Sequence, residues 1–368
     1  MFKITKDWRE ISPRFYTWDE DSKTLSTNQS WIVIECYYEW VTFKTGPNCT
    51  FRTGTRCNFE TGDDCAFKTG DNCTFNAGFN CNFETSDGCT FRTGDGCTFR
   101  TADDCTFKTG DGCTFDTGSD CIFDTGSDCT FDTVFRCTFD TGSDCVFKTY
   151  FNCNFDTGDD CTFSTDGVCT FKTGFDCTFR TSDHCTFRTG DDCAFRTGDN
   201  CTFNAGFNCN FETGDDCTFK TGSRCNFETG DECSFKASDE CTFRTGGDCT
   251  FTTVSNCTFR TSDDCTFTTG TRCFFKTGDE CFFKTGDECT FKTGDECTFK
   301  TGDECFLKTG DECTFRTGPS CIFNTGPYCV VVRRDIYEVI EIPENQKIKL
   351  NWFEKKWYKE AAEEDKDI

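Results

Sequence analysis

The sequence is poor in several residue types on which catalysis and membrane insertion depend. It has one Met, one His and five Pro in 368 residues, and it contains no run of eighteen apolar residues. The single histidine, His184, has no second candidate base nearby, which leaves little material for acid–base catalysis or a Cys–His nucleophile. The missing apolar run excludes a membrane-spanning helix. We therefore expect a protein that is not an enzyme, carries no cofactor and has no membrane span.

Positive charge is also scarce, because 38 Lys and Arg stand against 64 Asp and Glu, giving a net charge of −26. Binding to a phosphate backbone requires a basic surface that releases counterions, so we expect no nucleic-acid partner. The first residues, MFKITKDWREISPRF, mix charges throughout and lack the apolar core of a secretory signal. The composition therefore predicts an acidic protein that does not enter the secretory pathway on its own.

What the sequence has in excess is a repeat with 37 Cys and 46 Phe. A cysteine occurs at every eighth residue from Cys49 to Cys329, and only Cys36 lies outside this series. From Phe43 to Phe323 the third position of each octad is Phe except at Leu307, and the fifth is Thr or Ala, whereas the second and fourth positions vary freely. This alternation is typical of a half-buried strand, C-x-F-x-T, with Cys, Phe and Thr pointing inward.

Positions six to eight of the octad are usually Gly-Asp-Asp, Gly-Asp-Glu or Gly-Ser-Asp, which are turn-forming sequences. Val134, Tyr150 and Val254 also occupy position six. Because a β-branched residue resists positive φ, the turns cannot all depend on a left-handed residue at that position.

A five-residue strand with a three-residue turn cannot bury its inner face alone, but stacked copies can. Residues 65–85 recur at 193–213 with one substitution, a shift of 128 residues that is a whole number of two-octad coils but not of three-octad coils. We therefore predict an all-β parallel β-solenoid of stacked coils with two octads, or sixteen residues, per coil. Three octads per coil is the alternative. Phe would meet Phe at the centre, Cys would face Thr at each margin, and the product would be a stiff rod.

The predicted organisation has three parts. Residues 1–40 form an N-terminal aromatic cap, residues 41–331 form the octapeptide-repeat solenoid, and residues 332–368 form a C-terminal cap of strands followed by a helix. The expected structural core is represented by twelve residues spread along the repeat: Cys49, Phe51, Thr53, Cys105, Phe107, Thr109, Cys193, Phe195, Thr197, Cys289, Phe291 and Thr293.

Three roles of the cysteines are open. Free Cys behaves as a small buried hydrophobe, and Val41, in the same slot of the octad that precedes the series, favours packing. A disulfide ladder between neighbouring coils would have parallel Cβ vectors that strain the bond, and it needs an oxidising compartment. Metal binding is least favoured, because eight-residue spacing is not a C-x₂-C pattern and no His accompanies it. We expect reduced, buried thiols.

Solenoids need caps that hide their terminal strands. WIVIECYYEW and VVVRRDIYEVIEIPENQKIKLN are interpreted as strands, and NWFEKKWYKEAAEEDKD as a helix capped by Asn351. The aromatic residues at the ends are interpreted as cap cores, with docking of a partner or another copy as the alternative. Within the repeat, Pro occurs only in the first and last turns. The predicted cap residues are Trp31, Trp40, Pro47, Pro319, Pro327, Trp352 and Trp357.

The charged residues form regional bands. Rows of Asp and Glu in the turns could bind Ca²⁺, but the octad lacks the G-G-x-G-x-D spacing of RTX β-rolls, so a solvated acidic edge is favoured over divalent cations. Position four carries two bands that could set register with a partner, an acidic one and a basic one. They are Asp116, Asp124, Asp132 and Asp140, and then Lys276, Lys284, Lys292, Lys300 and Lys308.

At C-T-F-[KRD]-T-G-[DS]-[DNE] the repeat resembles octapeptide-repeat β-solenoids in uncharacterised proteins of tailed bacteriophages and giant viruses. The tail VVVRRDIYEVIEIPENQKIKLN is similar to the segment that closes some of them. The resemblance covers about four-fifths of the chain, implies a virion or cytoplasmic setting, and carries no activity. In general form the chain is also similar to pentapeptide-repeat solenoids, some of which mimic DNA, but it differs in period and in its rows of Lys and Arg.

These observations lead to three functional hypotheses. The first is a non-enzymatic structural or interaction protein, a rigid rod, spacer or fibre element that engages a protein partner or another copy through its terminal caps. The second is an acidic decoy that binds a DNA-handling protein. The third is a Ca²⁺-stabilised surface adhesin.

Overall fold

The computed structural model describes residues 2–332, 339–342, 348–350 and 358–360. The chain forms two compact units, Met1–Thr186 (unit 1) and Phe187–Ile368 (unit 2).

Unit 1 is a parallel β-solenoid with two facing sheets. Each octad strand pairs in parallel with the strand sixteen residues later, so that Phe75 lies beside Phe91 in one sheet and Phe83 beside Phe99 in the other. A short 3-10 helix spans Pro13–Phe15. One sheet contains Phe2–Lys6, Arg9–Glu10, Val33–Cys36, Thr50–Thr53, Ala66–Lys68, Asn82–Glu84, Thr98–Arg100, Thr114–Asp116, Thr130–Asp132, Val146–Thr149, Thr162–Thr165 and Thr178–Arg180. The other contains Thr17–Asp19, Thr24–Thr27, Thr42–Thr45, Asn58–Glu60, Thr74–Asn76, Thr90–Arg92, Thr106–Lys108, Ile122–Thr125, Thr138–Thr141, Asn154–Thr157 and Thr170–Lys172.

Unit 2 has the same two-sheet parallel architecture, with Phe227 beside Phe243 in one sheet and Phe235 beside Phe251 in the other. Its first sheet contains Ala194–Arg196, Asn210–Glu212, Asn226–Glu228, Thr242–Arg244, Thr258–Arg260, Phe274–Lys276, Thr290–Lys292, Phe306–Lys308, Ile322–Asn324, Ile348–Leu350 and Tyr358–Glu360. Its second sheet contains Thr186–Arg188, Thr202–Asn204, Thr218–Lys220, Ser234–Lys236, Thr250–Thr252, Thr266–Thr268, Phe282–Lys284, Thr298–Lys300, Thr314–Arg316, Val330–Val332 and Val339–Glu341. The prediction of sixteen residues per coil is therefore confirmed, and three octads per coil is excluded.

The strands are shorter than the predicted C-x-F-x-T segment. In a typical octad the strand is Thr106–Lys108, and Cys105 and Thr109 lie just outside it at the corners. The interstrand hydrogen bonds nevertheless continue past the corners, because the Thr109 N–H donates to Asp124 O at 3.0 Å. In the turns, the Gly94 N–H donates to Gly78 O at 3.2 Å. The turns as well as the strands of successive coils are therefore hydrogen-bonded to one another.

Phenylalanine rings fill the centre of each unit. The Phe107 ring lies 4.8 Å from the Phe91 ring of the neighbouring coil, nearly parallel at 4°. It meets the Phe99 ring of the opposite sheet edge-on, at 5.2 Å and 76°. Each fully buried Phe contributes roughly 1.5–3 kcal/mol of hydrophobic stabilisation, and edge-on pairs add about 0.5–1.5 kcal/mol. Leu307 replaces one ring without becoming exposed.

The structure buries all eight predicted Cys and Phe core representatives, with exposed fractions of 3% or less. Among the four threonines of that set, Thr53 is buried at 8%, whereas Thr109, Thr197 and Thr293 are half-buried. The fifth position sits at the corner, beside the solvent-exposed turn, so its side chain is only partly covered. Cys and Phe therefore define the dry interior, and Thr forms its border.

The parallel register extends to strands before Val41. Leu25 lies beside Phe43 and Ile34 beside Phe51, so degenerate coils precede the first recognisable octad. Strand Phe2–Lys6 pairs antiparallel with Val33–Cys36. The interpretation of Trp31 and Trp40 as cap cores is wrong, because their exposed fractions are 70% and 62%. The buried apolar residues of this region are instead Ile4, Leu25, Ile32, Ile34 and Cys36.

Antiparallel strands also lie at the C-terminal end of unit 2. Val339–Glu341 pairs with Val330–Val332, and Ile348–Leu350 pairs with Ile322–Asn324. The predicted C-terminal helix is wrong at Tyr358–Glu360, which forms a strand because Ile348–Leu350 offers it an antiparallel backbone partner. The rest of that helix, with Asn351, Trp352 and Trp357, lies outside the described residues.

Candidate functional site

The cysteines form a continuous ladder inside each unit. All 37 are free and buried. In a parallel coil, the backbone N–H at the first octad position points inward, where no carbonyl is available to it. The sulfur of the next coil takes that role, since the Cys65 N–H donates to Cys81 Sγ at 3.4 Å. The Cys81 S–H in turn lies 3.6 Å from the Gly62 carbonyl oxygen. Each thiol is therefore a packing group and a hydrogen-bonding group at once.

This network changes the meaning of Val41. Val41 occupies the octad that precedes the cysteine series, and the residue at the same slot of the preceding coil is the exposed Lys23 rather than a cysteine. The preceding coil has no buried cysteine N–H at this slot that needs a sulfur acceptor, so valine is tolerated there. The packing interpretation of the cysteines is therefore correct but incomplete, because their sulfurs also accept hydrogen bonds from backbone N–H groups.

The thiols are enclosed by the fold, since all of them are buried. Hydrogen bonds between neighbouring thiols shift their pKa values in opposite directions, raising the pKa of Cys81 and lowering that of Cys65, and burial raises the pKa of Cys36. Among the described residues, no three His, Cys, Asp or Glu side chains are grouped so that they could hold a metal ion.

The left-handed residue of a turn is generally at position eight, immediately before the cysteine. Asn72 has φ 57° and Glu296 has φ 53°. Asn, Asp and Gly, which tolerate this conformation best, are common at position eight. Where position eight is Val168, the left-handed conformation moves to Gly167, with φ 70°, because a β-branched side chain resists it. His184 has φ 58° and is exposed at such a turn.

Position seven carries a second ladder, made of carboxylates and backbone amides. Asp279 Oδ1 accepts a hydrogen bond from the Asp295 N–H at 2.8 Å, and Asp63 Oδ1 accepts one from the Phe79 N–H at 2.9 Å. The same bond recurs along both edges, and Ser127 and Ser143 replace aspartate in it with their hydroxyls. The acidic residues of position seven therefore have a structural role that sequence reasoning missed.

The glycine of position six makes room for this carboxylate. A Cβ added at Gly278 would overlap Asp263 Oδ1 of the preceding coil, and the same holds at Gly78 above Asp63. Most other residues at position six lie above a position seven that is not aspartate. These are Val134 above Ser119, Tyr150 above Phe135, Asp166 above Phe151, Ser182 above Gly167, Ser238 above Ser223 and Ser262 above Gly247. Ser86, Ala102 and Val254 are the exceptions.

The predicted cap prolines lie at the ends of the carboxylate ladder. Pro47, Pro319 and Pro327 all occupy position seven. The Asp303 N–H donates to Asp287, and the Asp311 N–H to Asp295. The next donors in these two series would be Pro319 and Pro327, which have no backbone N–H.

Position four is exposed and forms ion pairs between neighbouring coils. Lys68 contacts Glu84 at 2.6 Å and Lys148 contacts Asp132 at 2.8 Å. In the predicted acidic band, Asp116 is paired with Arg100, and Asp124 with Lys108. The band is therefore partly neutralised by the cations at its ends.

The N-terminal part of unit 1 has an aromatic cavity and an exposed aromatic surface. The cavity has a volume of about 520 Å³ and is lined by Phe2, Tyr16, Trp18, Glu20, Lys23, Tyr38, Glu39 and Val41. Trp8 is fully exposed, and the Trp40 ring lies 5.4 Å from the guanidinium of Arg56. Trp31 and Trp40 have φ values of 61° and 64°, which place them on turns that aim them outward.

Within the described part of the chain, no helix combines the length and the apolar composition that crossing a membrane requires. No protein-family model matches the sequence, and no curated protein matches it. A solved structure of a double mutant of the periplasmic alginate epimerase AlgG is similar at 8% identity, covering 88% of this chain and 78% of that one, with a TM-score of 0.13. A likeness of that size carries no argument about fold or function.

Proposed function

We propose that the chain is a non-enzymatic structural or interaction protein, a stiff spacer or fibre element. The observation that carries this proposal is the use of the repeated side chains within the fold itself. The thiol of Cys81 bonds to neighbouring coils, the ring of Phe107 stacks on its neighbours, and the carboxylate of Asp279 accepts a backbone N–H. Residue types that often carry chemistry are thus committed to joining one coil to the next.

The partner of such an element is a protein or a further copy of the chain, engaged through the terminal segments. Exposed aromatic rings favour the N-terminal segment for this contact, since Trp8, Trp31 and Tyr37 are 101%, 70% and 78% exposed. Large aromatic side chains are enriched at the centres of protein interfaces. The resemblance of the octad to repeats of tailed bacteriophages and giant viruses supports a virion or the cytoplasm as its setting, and free thiols fit a reducing compartment.

The test is association at high ionic strength, where surface ion pairs are screened. Sedimentation velocity of the full chain should show concentration-dependent association that is lost in a variant with Trp8→Ala, Trp31→Ala and Trp40→Ala. A control with Phe79→Ala and Phe175→Ala, which removes rings exposed to 51% and 50%, should associate like the wild type.

A chain that stays monomeric at all concentrations, and that competes with duplex DNA for a topoisomerase or nucleoid protein, would refute the structural proposal in favour of the acidic decoy. The exposed Lys and Arg of position four argue against that decoy, because they interrupt any uniform array of negative charge. A melting temperature that falls on chelation would instead support the calcium-stabilised adhesin.

A further inference from the structure

One sheet of unit 2 carries a row of cations that we call the cationic stripe, Arg260, Lys276, Lys292 and Lys308. These residues lie side by side in register, one per coil. All four are exposed, and none forms an ion pair with a described residue. Neighbouring like charges on a sheet repel one another, so the stripe is an unneutralised face.

The turn that follows each of these strands carries an opposite row, which we call the acidic row. It consists of the position-eight residues Asp264, Glu280, Glu296 and Glu312, one for each residue of the stripe. All are exposed, and within the described residues none has a cationic partner. Repulsion from Asp264 and Glu296 raises the pKa of Glu280, which shows that these carboxylates interact with one another.

The stripe and the row have the same spacing. Both advance by one residue per coil, and the coil repeat appears in the 4.8 Å between the Phe275 and Phe291 ring centroids. In each coil the row residue follows the stripe residue by four positions, as Glu280 follows Lys276. The two rows therefore lie on a strand and on the turn that follows it, with opposite charges and a common repeat.

We propose that two copies of the chain associate side by side through unit 2, with the cationic stripe of each copy facing the acidic row of the other. Because the two rows share one spacing, each charge of one copy lies opposite a charge of the other sign in the second copy. A polyanion with a different repeat cannot form this match. A closed dimer needs a two-fold axis. An axis parallel to the coil stack places stripe against row, whereas an axis across the stack places stripe against stripe. The dimer is therefore parallel.

This contact goes beyond the proposed role at the terminal segments, because it lies on the side of unit 2 and depends on ion pairs between exposed groups. Such pairs are individually weak and are screened by salt. The side-by-side dimer should accordingly form at low ionic strength, about 0.01 M, and dissociate at about 1 M. Association through exposed aromatic rings persists at high salt, so the two contacts are distinguished by the same titration.

A charge-swap experiment tests the inference with the full chain. The stripe variant carries Lys276→Glu, Lys292→Glu and Lys308→Glu, and the row variant carries Glu280→Lys, Glu296→Lys and Glu312→Lys. By sedimentation velocity at low ionic strength, each variant alone should be monomeric, because like charges then face each other. An equimolar mixture of the two should dimerise, since each stripe again meets a row of opposite sign.

A matched control, Lys44→Glu with Lys68→Glu and Lys148→Glu, changes the net charge by the same amount in unit 1, where these lysines pair with neighbouring carboxylates. It should dimerise like the wild type. A regained dimer in the mixture cannot come from misfolded variants. A wild-type chain that stays monomeric at low salt, a mixture that fails to associate, or a wild-type chain that binds duplex DNA through the stripe would overturn the proposal.

Discussion

The carboxylate ladder makes a prediction that can be worked from single atoms. In Gly278→Ala the new methyl group overlaps Asp263 Oδ1 at its present position, so the carboxylate must shift, which weakens the hydrogen bond that it accepts from the Asp279 N–H at 2.8 Å. The equivalent bond persists at 3.2 and 2.9 Å where Ala102 and Val254 lie above aspartates, so the loss is partial. A hydrogen bond to a charged group contributes about 1.5–3 kcal/mol, and exposure to water places this one near the lower end. The lower entropy of the unfolded alanine chain offsets about 0.4–1 kcal/mol.

The net expectation for Gly278→Ala is a loss of at most about 1 kcal/mol, or a fall of at most about 2–4 °C in the thermal midpoint for a unit of this size. Gly46→Ala is the matched control, because the nearest atom to its new Cβ is Asn28 O at 3.7 Å, an ordinary contact. The control should be neutral or slightly stabilised.

A double-mutant cycle isolates the cause. In an Asp263→Ala background the carboxylate is absent, so adding Gly278→Ala should cost less than in the wild type; the close contact that remains is the 3.2 Å approach of the new Cβ to the backbone N of residue 263. The reasoning is refuted if Gly278→Ala alone is as harmless as Gly46→Ala, or if its cost is unchanged when Asp263 is alanine.

Three further predictions concern the thiols and the acidic row. Cys81→Val should be more destabilising than Cys81→Ser, because valine leaves the Cys65 N–H without its acceptor. The unsatisfied N–H should cost about 1–3 kcal/mol of stability, and equal urea midpoints for the two variants would contradict this role. The native chain should react with essentially no thiol reagent, whereas all 37 cysteines should react in denaturant; fast native labelling would show that the interior is open. Because Asp264 and Glu296 raise the pKa of Glu280, the stability linked to this group is present below its unfolded pKa and is lost as pH rises through its folded pKa. Glu280→Gln should therefore raise the melting temperature at pH 7 but not at pH 4, and an equal effect at both would exclude this repulsion.

Much of the fold could be predicted from the sequence because every octad repeats the same pattern of buried and exposed positions. The alternation of Cys, Phe and Thr with variable residues gives the buried face directly, and the 128-residue recurrence of residues 65–85 gives sixteen residues per coil. The left-handed turn position was also open to inference. Asn, Asp and Gly collect at position eight, and Val168 is preceded by the glycine that replaces it in that role.

Contacts between coils were harder to predict. Cys and Val are both small and apolar, so the slot of Val41 looked like a packing site until the structure placed the Cys65 N–H against the sulfur of Cys81. The exposure of Trp31 and Trp40 was missed because aromatic residues near a chain end were assumed to form a core. Large aromatics also occur on surfaces, and their burial depends on the turn that carries them rather than on their hydrophobicity alone.

Acidic residues occur at two positions of the turn, seven and eight, and have a different role at each. Glu occurs repeatedly at position eight, as at Glu280 and Glu296, but at no position seven of the repeat. A carboxylate on one methylene reaches the N–H of the next coil, as Asp279 does, whereas the longer side chain of Glu does not fit that geometry. Position seven is therefore restricted by a backbone contact, and position eight, which points outward, is free to vary in charge. The net charge of −26 thus includes a ladder that bonds one coil to the next and a separate surface pattern at position eight.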